Sequence, residues 1–353
     1  MKKIFLALVL VSFFACSDDG GIDGPASDKA EILGFTVEAN AGFNPVYSYI
    51  DEENGEVHVF AAVNFDDLTF PIKLIPVISV SEGASIVPAL EDEVTFDDPE
   101  DFVEYTVTSE DGLNSKDYIF TIRDTQIPNA GFENWYTETG MNSQPFQEPG
   151  KYKESTVWAT ANMGTSIYSI YGTSQLNDGD NSFVKIETVT TVALPLVAGA
   201  LYIGKFDLDG AIENPTDPVA AAKLGIPFHE KPVAVQFKYS YKSGDQLIQA
   251  ILKDPGNLFG GFDVINLEGT DKFGIEIALE QRVGEAVSVI AKKVFQSAEE
   301  VAELTNVRLD LDYMSNDAPT HLYISFSPSY DGGTFKGAVG STLIIDDVEL
   351  IYE

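Results

Sequence analysis

From residue 32 to its end the chain alternates apolar and polar residues in short runs, and this two-residue period predicts strands rather than helices. The terminal run is the clearest. Residues 342–352 read Thr-Leu-Ile-Ile-Asp-Asp-Val-Glu-Leu-Ile-Tyr. Strict alternation would put Ile344, Asp346, Val348, Leu350 and Tyr352 on one face, and Leu343, Ile345, Asp347, Glu349 and Ile351 on the other. Asp346 then falls on an apolar face. An unpaired carboxylate there costs roughly several kcal/mol, so Asp346 needs a proton, a hydrogen-bond donor or a cation.

Upstream, runs at 32–37, 56–61, 102–108 and 117–122 predict a small β-domain over 29–124. Asn54-Gly55 marks a hairpin turn, and Pro71 and Pro76 make 70–80 an edge or bulged strand. A boundary follows at Thr125–Pro128. Runs at 182–188, 198–206, 233–242, 247–252, 273–280, 287–295, 307–313 and 321–327 then lead to the terminal strand. That is about ten strands in roughly 225 residues, enough for a sizeable core. Phe237, Tyr239 and Tyr241 share a face and are assigned to that core. Ser297-Ala298-Glu299-Glu300 has the form of a capping box and predicts a helical turn through Leu304. Two packed antiparallel sheets in a jelly-roll arrangement are the economical architecture for 125–353, so the fold class is all-β.

Charge narrows the partners. Lys and Arg number 21 against 56 Asp and Glu, a formal net charge of −35, which repels phosphate backbones and excludes nucleic acid. Divalent cations and neutral ligands remain compatible. At the front, Met-Lys-Lys precedes an apolar run over 4–14 that is too short to span a bilayer and ends at Ala15-Cys16. Cys16 is the single cysteine, so no intrachain disulfide can form. This front end resembles a bacterial lipoprotein signal, with 1–16 as signal peptide and Cys16 as the lipidated residue. The other reading is an ordinary secretory signal with an unrelated cysteine. Residues 17–28 form a flexible acidic linker. Their Ser17-Asp18-Asp19 run resembles the export signal of surface lipoproteins in some Gram-negative bacteria. The expected location is the Gram-negative outer membrane, lipid-anchored and exposed at the cell surface.

Two further resemblances concern the body of the chain. Tyr105-Thr106-Val107-Thr108-Ser109-Glu110-Asp111-Gly112 followed by Lys116-Asp117-Tyr118-Ile119-Phe120-Thr121-Ile122 resembles the last hairpin of immunoglobulin-like spacer domains on bacterial surface lipoproteins. It implies an immunoglobulin-like β-sandwich over 29–124 that holds the next domain off the membrane. The segments at 129–135, 158–162, 198–206, 225–232, 237–244 and 337–350 occur in the order of the bacterial family called the putative carbohydrate metabolism domain. That family resembles galactose-binding-like or carbohydrate-binding-module jelly rolls. In many of these the first strand has the form Asn-x-Gly-Phe-Glu, the last carries an Asp-Asp pair, and a Ca²⁺ ion lies between them. The resemblance thus implies Glu133 and Asp346 as ligands of a structural calcium, the alternative being that Asp346 accepts from backbone amides and Glu133 is solvated.

Sugar sites offer an aromatic face and neighbouring polar groups. Candidates are Trp158 with Asn162, then Trp135, Tyr168, Tyr171 and Tyr330, each of which can instead be a core aromatic. Glycoside hydrolysis needs two flanking carboxylates. Among 56 acidic residues none is singled out as catalytic, and Asp207, Asp209 and Glu213 stand together in an expected loop. His58, His229 and His321 lack metal-ligand spacing, and no Gly-x-Ser-x-Gly elbow or phosphate loop is present. The expected role is glycan binding by the jelly roll in support of polysaccharide capture. Expected partners are a glycan, the outer membrane through the lipid anchor, and outer-membrane import proteins. A glycoside hydrolase, or an adhesive surface protein with a protein partner, are the alternatives.

Overall fold

The structure is a computed structural model that describes residues 26–352 apart from 41, 62–64, 66–67, 91, 180, 215–216 and 285. Cys16 and the 17–25 part of the linker lie outside the described residues. The described chain is nearly all strand and builds two β-sandwiches, each with its own apolar core.

In the amino-terminal sandwich a five-stranded sheet runs in the order Pro45–Asp51, Glu56–Ala61, Ser115–Arg123, Phe102–Thr108, Ser85–Val87. Opposite lie the pairs Ile32–Val37 with Pro76–Val80 and Ile72–Leu74 with Val94–Phe96. The proline-bearing run over 70–80 is therefore split at Ile75 between two short sheets. Phe35, Phe96, Tyr105 and Phe120 fill the space between the layers. Short edge strands with interrupted ladders are where proline is tolerated.

The carboxy-terminal sandwich faces an eight-stranded sheet against a five-stranded one. The larger has the path Trp158–Thr160, Leu201–Phe206, His321–Ser327, Phe273–Val283, Ala286–Ser297, Asp312–Tyr313. The smaller runs Thr173–Asp178, Asn181–Glu187, Thr342–Ile351, Ala234–Lys242, Val301–Asp310. The terminal strand sits at the centre of its sheet, and the Val348 amide donates to Ala130 O at 3.0 Å, so the first and last segments of this domain lie side by side. Phe132, Phe237, Tyr239 and Tyr241 are buried in the shared core.

Two expectations are corrected. The terminal strand does not alternate strictly. Leu343 and Ile345 point into the core, and so do Val348 and Leu350. A bulge changes the phase between them: Lys238 pairs with Asp346 and Gln236 with Glu349, while Asp347 takes a left-handed φ of 48°. The extra residue falls at Asp347–Val348, opposite Phe237, so Asp346 is not in phase with Val348 and Leu350 in one apolar row. The expected helical turn through Leu304 is a strand, Val301–Asp310, paired with Ala234–Lys242. Ser297 Oγ accepts from the Glu299 amide, two residues on, and the N3 bond of a capping box does not form. Cross-strand pairing by the β-branched Val301, Thr305 and Val307 overrides the local helix signal.

The sandwiches are joined by polar contacts. Gln126 exchanges two 2.9 Å bonds with the Leu350 backbone. The buried Arg123 guanidinium donates to Ser155 O at 3.0 Å, and Ser155 Oγ donates to Glu100 O at 2.6 Å. All three histidines of the chain lie along this junction. His58 Nδ1 meets Thr121 Oγ1, His229 packs on Tyr47 and Phe60, and His321 lies edge-on to Tyr49. Burial lowers the pKa of each, that of His321 to about 4. They are neutral packing residues at neutral pH.

Candidate functional site

A hairpin that the alternation signal did not reveal builds one wall of the main cleft. Trp135–Thr139 pairs with Pro145–Pro149, and the Gly140 amide donates to Gln144 O across the connecting loop. Tyr136 lies opposite Glu148 and Glu138 opposite Phe146, so these four side chains share one face. The chain then reverses at Gly150, whose φ is 133° and where an added Cβ would lie 2.5 Å from the Thr156 side chain. That turn sets Lys153, Glu154 and Thr156 beside the hairpin. The floor is Trp158, Ala159 and Thr160, and the far wall is Gly204, Lys205, Phe206 and Leu208. Asn54, Glu56 and Ile119 of the amino-terminal sandwich close one end. The cleft encloses about 520 Å³, within the range of small-ligand sites.

Its electrostatics centre on two carboxyls. Glu148 is buried. Its Oε1 accepts from Thr160 Oγ1 at 2.8 Å, and its Oε2 is buried with no hydrogen-bond partner. Burial, reinforced by the charge of Glu138, pushes the Glu148 carboxyl up to about 8. At neutral pH it is a neutral acid. Glu138 behaves in the opposite way. Burial acts to raise its pKa, but the Lys153 ammonium and the Thr139 amide outweigh that and hold it below the ordinary range. Across the cleft Lys205 pairs with Glu56, which is held at about 2; burial opposes this, and His58 and Lys205 prevail. The cleft thus holds an ionised carboxylate and a neutral carboxylic acid on one hairpin face, with aromatic rings beside them.

The sequence candidates are placed as follows. Trp158 is 2% exposed, donates its indole N–H to Pro128 O at 2.9 Å and packs on Phe132. Asn162 is buried and exchanges hydrogen bonds with the Thr173 backbone. Neither side chain can serve as an exposed sugar platform, because each is committed to the layer beneath the cleft. Trp135 is half-buried, its indole N–H on Phe132 O. Tyr171 is half-buried and stacks at 5.1 Å on Phe146, backing the cleft wall from outside. Tyr168 is half-buried in a 3-10 turn, and Tyr330 is exposed with its ring over Gly274, away from the cleft. Asp209 and Glu213 belong to a short helix, Leu208–Glu213, that Asp207 caps by accepting from the Gly210 amide, and this corrects the expected loop. The residues missed were Tyr136, Glu138, Phe146, Glu148, Lys205 and Phe206. The signal for the first four was the matched Tyr-x-Glu and Phe-x-Glu on either side of a Gly-Met-Asn-Ser-Gln loop.

Glu133 and Asp346 each bond one of two adjacent residues, Ser182 and Asn181. Glu133 Oε1 accepts from the Ser182 amide at 3.3 Å, and Asp346 Oδ2 accepts from Asn181 Nδ2 at 3.2 Å. Asp346 is fully buried, and its Oδ1 has no hydrogen-bond partner. Burial raises its pKa. The orphaned, buried Asp346 Oδ1 would suit a hard cation, for which Glu133 would be the second carboxylate. Among the described residues no group of three or more His, Cys, Asp or Glu is placed to hold a metal.

Comparison with known proteins agrees with the all-β sandwich architecture. Residues 131–351 match the model of the family described as "Putative carbohydrate metabolism domain", and the chain belongs to that family. Residues 32–122 match the family "SGBP, N-terminal". A crystal structure named as a putative glycoside hydrolase of Bacteroides thetaiotaomicron VPI-5482 is 25% identical, covering 94% of this chain and 99% of its own, with a TM-score of 0.52. A second so named, from Bacteroides vulgatus ATCC 8482, is 23% identical over 65% of this chain and 98% of its own, with a TM-score of 0.51. No curated protein sequence matches the chain. Among the described residues no helix is long and apolar enough to cross a membrane.

Proposed function

We propose that the protein is a cell-surface lipoprotein, anchored through Cys16 to the Gram-negative outer membrane, whose cleft binds a glycan for capture and delivery to outer-membrane import proteins. The observation that carries this reading is the cleft itself. It has the volume of an oligosaccharide subsite, with Tyr136 and Phe206 at its rim and charged or hydroxyl groups on both walls. The amino-terminal match to a glycan-binding-protein module supports a surface role, and the name of the Bacteroides thetaiotaomicron relative supports a carbohydrate partner. Affinity gel electrophoresis against xylan, arabinan, galactan, mannan and β-glucan tests it. Retardation by at least one polysaccharide is expected, weakened about tenfold or more by Tyr136→Ala, a loss of about 1.4 kcal/mol. Retardation by none, or an undiminished shift for the variant, would overturn the cleft as the binding site.

A structural calcium at Glu133 and Asp346 belongs to the same reading. At a tenfold excess over its Kd the ion adds about 1.4 kcal/mol to stability, a rise of about 3–6 °C in melting temperature. Asp346→Ala is expected to abolish that response. Identical melting of the wild type in calcium and in chelator would remove the ion.

A further inference from the structure

We propose that the cleft is a two-domain site for a neutral oligosaccharide, which lies across the seam between the sandwiches and is held at one end by Asn54 and Glu56 of the amino-terminal body. This rests on the glycan-binding reading. It names the charge class of the ligand and gives the amino-terminal sandwich a direct part in recognition, beyond that of a spacer.

The amino-terminal end of the cleft is set before any ligand arrives. Asn54 lies in the turn between Pro45–Asp51 and Glu56–Ala61, and Asp51 holds it twice. Asp51 Oδ1 accepts from the Asn54 amide at 3.0 Å, and Asp51 Oδ2 accepts from Asn54 Nδ2 at 2.9 Å. Gly55 fixes the turn from the other side. Its φ is 64°, an added Cβ would lie 2.5 Å from Asp117 O, and its carbonyl accepts from the Ile119 amide at 2.9 Å. The Asn54 side chain is exposed, so its Oδ1 and its second Nδ2 proton remain for a ligand. Glu56 is gripped by His58 Nε2 at 3.3 Å and, across the seam, by the Lys205 ammonium. The buried bonds from Arg123 to Ser155 and from Ser155 to Glu100 keep the two bodies in place behind this end. Polar groups already fixed by their own partners lose little freedom when a ligand binds.

Charge selects the ligand. The cleft lining carries two lysines, and a carboxylate already matches each: Glu138 pairs with Lys153, and Glu56 with Lys205. Glu154 is exposed in the same lining and has no cationic partner among the described residues. A uronate or sulfate group entering here would meet a carboxylate and find no spare cation, and like charges repel. Sugar hydroxyls meet no such barrier. They can donate to Glu154 and to Asn54 Oδ1, and accept from the ammonium protons that Lys205 has left. The surplus carboxylate thus discriminates against acidic glycans without weakening neutral ones.

The test uses the full chain in affinity gels against the five neutral polysaccharides and polygalacturonate. The variants are Asn54→Ala, Asn54→Trp and, as a control on the same sandwich, Lys73→Ala, whose ammonium pairs with Glu93 outside the cleft. Position 54 is an exposed turn, so melting temperatures are expected to stay at the wild-type value. Retention by at least one neutral polysaccharide, and none by polygalacturonate, is the expected result for the wild type. Asn54→Ala is expected to weaken retention about 3- to 10-fold, the worth of one hydrogen bond. Asn54→Trp, which fills that end, is expected to weaken it further, and Lys73→Ala to leave it unchanged. Undiminished retention in both Asn54 variants, with Tyr136→Ala still weakened, would overturn the two-domain site and leave the glycan reading intact. Equal weakening by Lys73→Ala would do the same. Retention by polygalacturonate would overturn the neutral class, and retention by none of the six would sink both readings.

Discussion

Glu148→Gln is expected to raise the melting temperature at pH 8 by about 5–12 °C and to change it little at pH 5. The sign follows from where the proton resides. In the unfolded chain this carboxyl titrates near its ordinary 4.5; in the folded chain it titrates at about 8, driven by burial. Between those values the folded state binds the extra proton, so stability falls as pH rises. The full cost is present above the folded pKa and absent below the unfolded one. At pH 8 it is on the order of 2–4 kcal/mol, and at pH 5 below about 1 kcal/mol. Glutamine keeps an acceptor for Thr160 and removes the titration. Calorimetry of both proteins at the two pH values checks this, and an equal shift at both would mean that Glu148 is ionised in the fold.

Trp158→Ala is expected to destabilise by about 3–5 kcal/mol, lowering the melting temperature by about 10 °C or more. The indole is 2% exposed, lies 4.9 Å from the Phe132 ring and 6.4 Å from Phe326, and makes a hydrogen bond to Pro128 O. Its removal leaves a cavity under the cleft and a carbonyl without its donor. Glycan retention is expected to fall with it, through collapse of the floor rather than loss of a stacking face. The chain has two tryptophans, so Trp135→Ala isolates the emission of Trp158. Blue-shifted emission from that variant, resistant to acrylamide, is the expected result. Emission typical of water would contradict the burial.

The junction between the sandwiches decides the shape of the cleft. Lys205 belongs to the carboxy-terminal body and Glu56 to the other, and they meet at its end. Each domain's core is assembled from its own strands, so the two patterns can be read separately. Their docking rests on scattered contacts, polar ones such as Arg123 with Ser155 and ring packing such as His229 on Phe60, which no periodicity announces.

Much of the strand inventory was legible because half-buried strands must alternate. The expected run at 102–108 corresponds to Phe102–Thr108, and those at 56–61 and 321–327 match their strands likewise. Strands of three residues, such as Ser85–Val87 and Val94–Phe96, are too short to show a period. The cleft hairpin escaped for a related reason. Its second strand begins and ends with proline, Pro145 and Pro149, and both five-residue strands carry glutamates on the face that would otherwise be apolar. Trp158 and Asn162 stood out as residue types that bind sugars, but the same types also suit a core and its hydrogen bonds. Burial distinguishes the two uses, and burial is a property of the fold.

By itself the sequence determined the two-domain all-β plan, the acidic surface, and a terminal strand with a carboxylate in need of a partner. Those follow from periodicity and charge, which are local sums along the chain. Only the tertiary structure decided which of many glutamates faces a cleft, which is buried without a partner, and which is held ionised by a lysine. Proton affinity depends on distance and desolvation, and the fold alone supplies both.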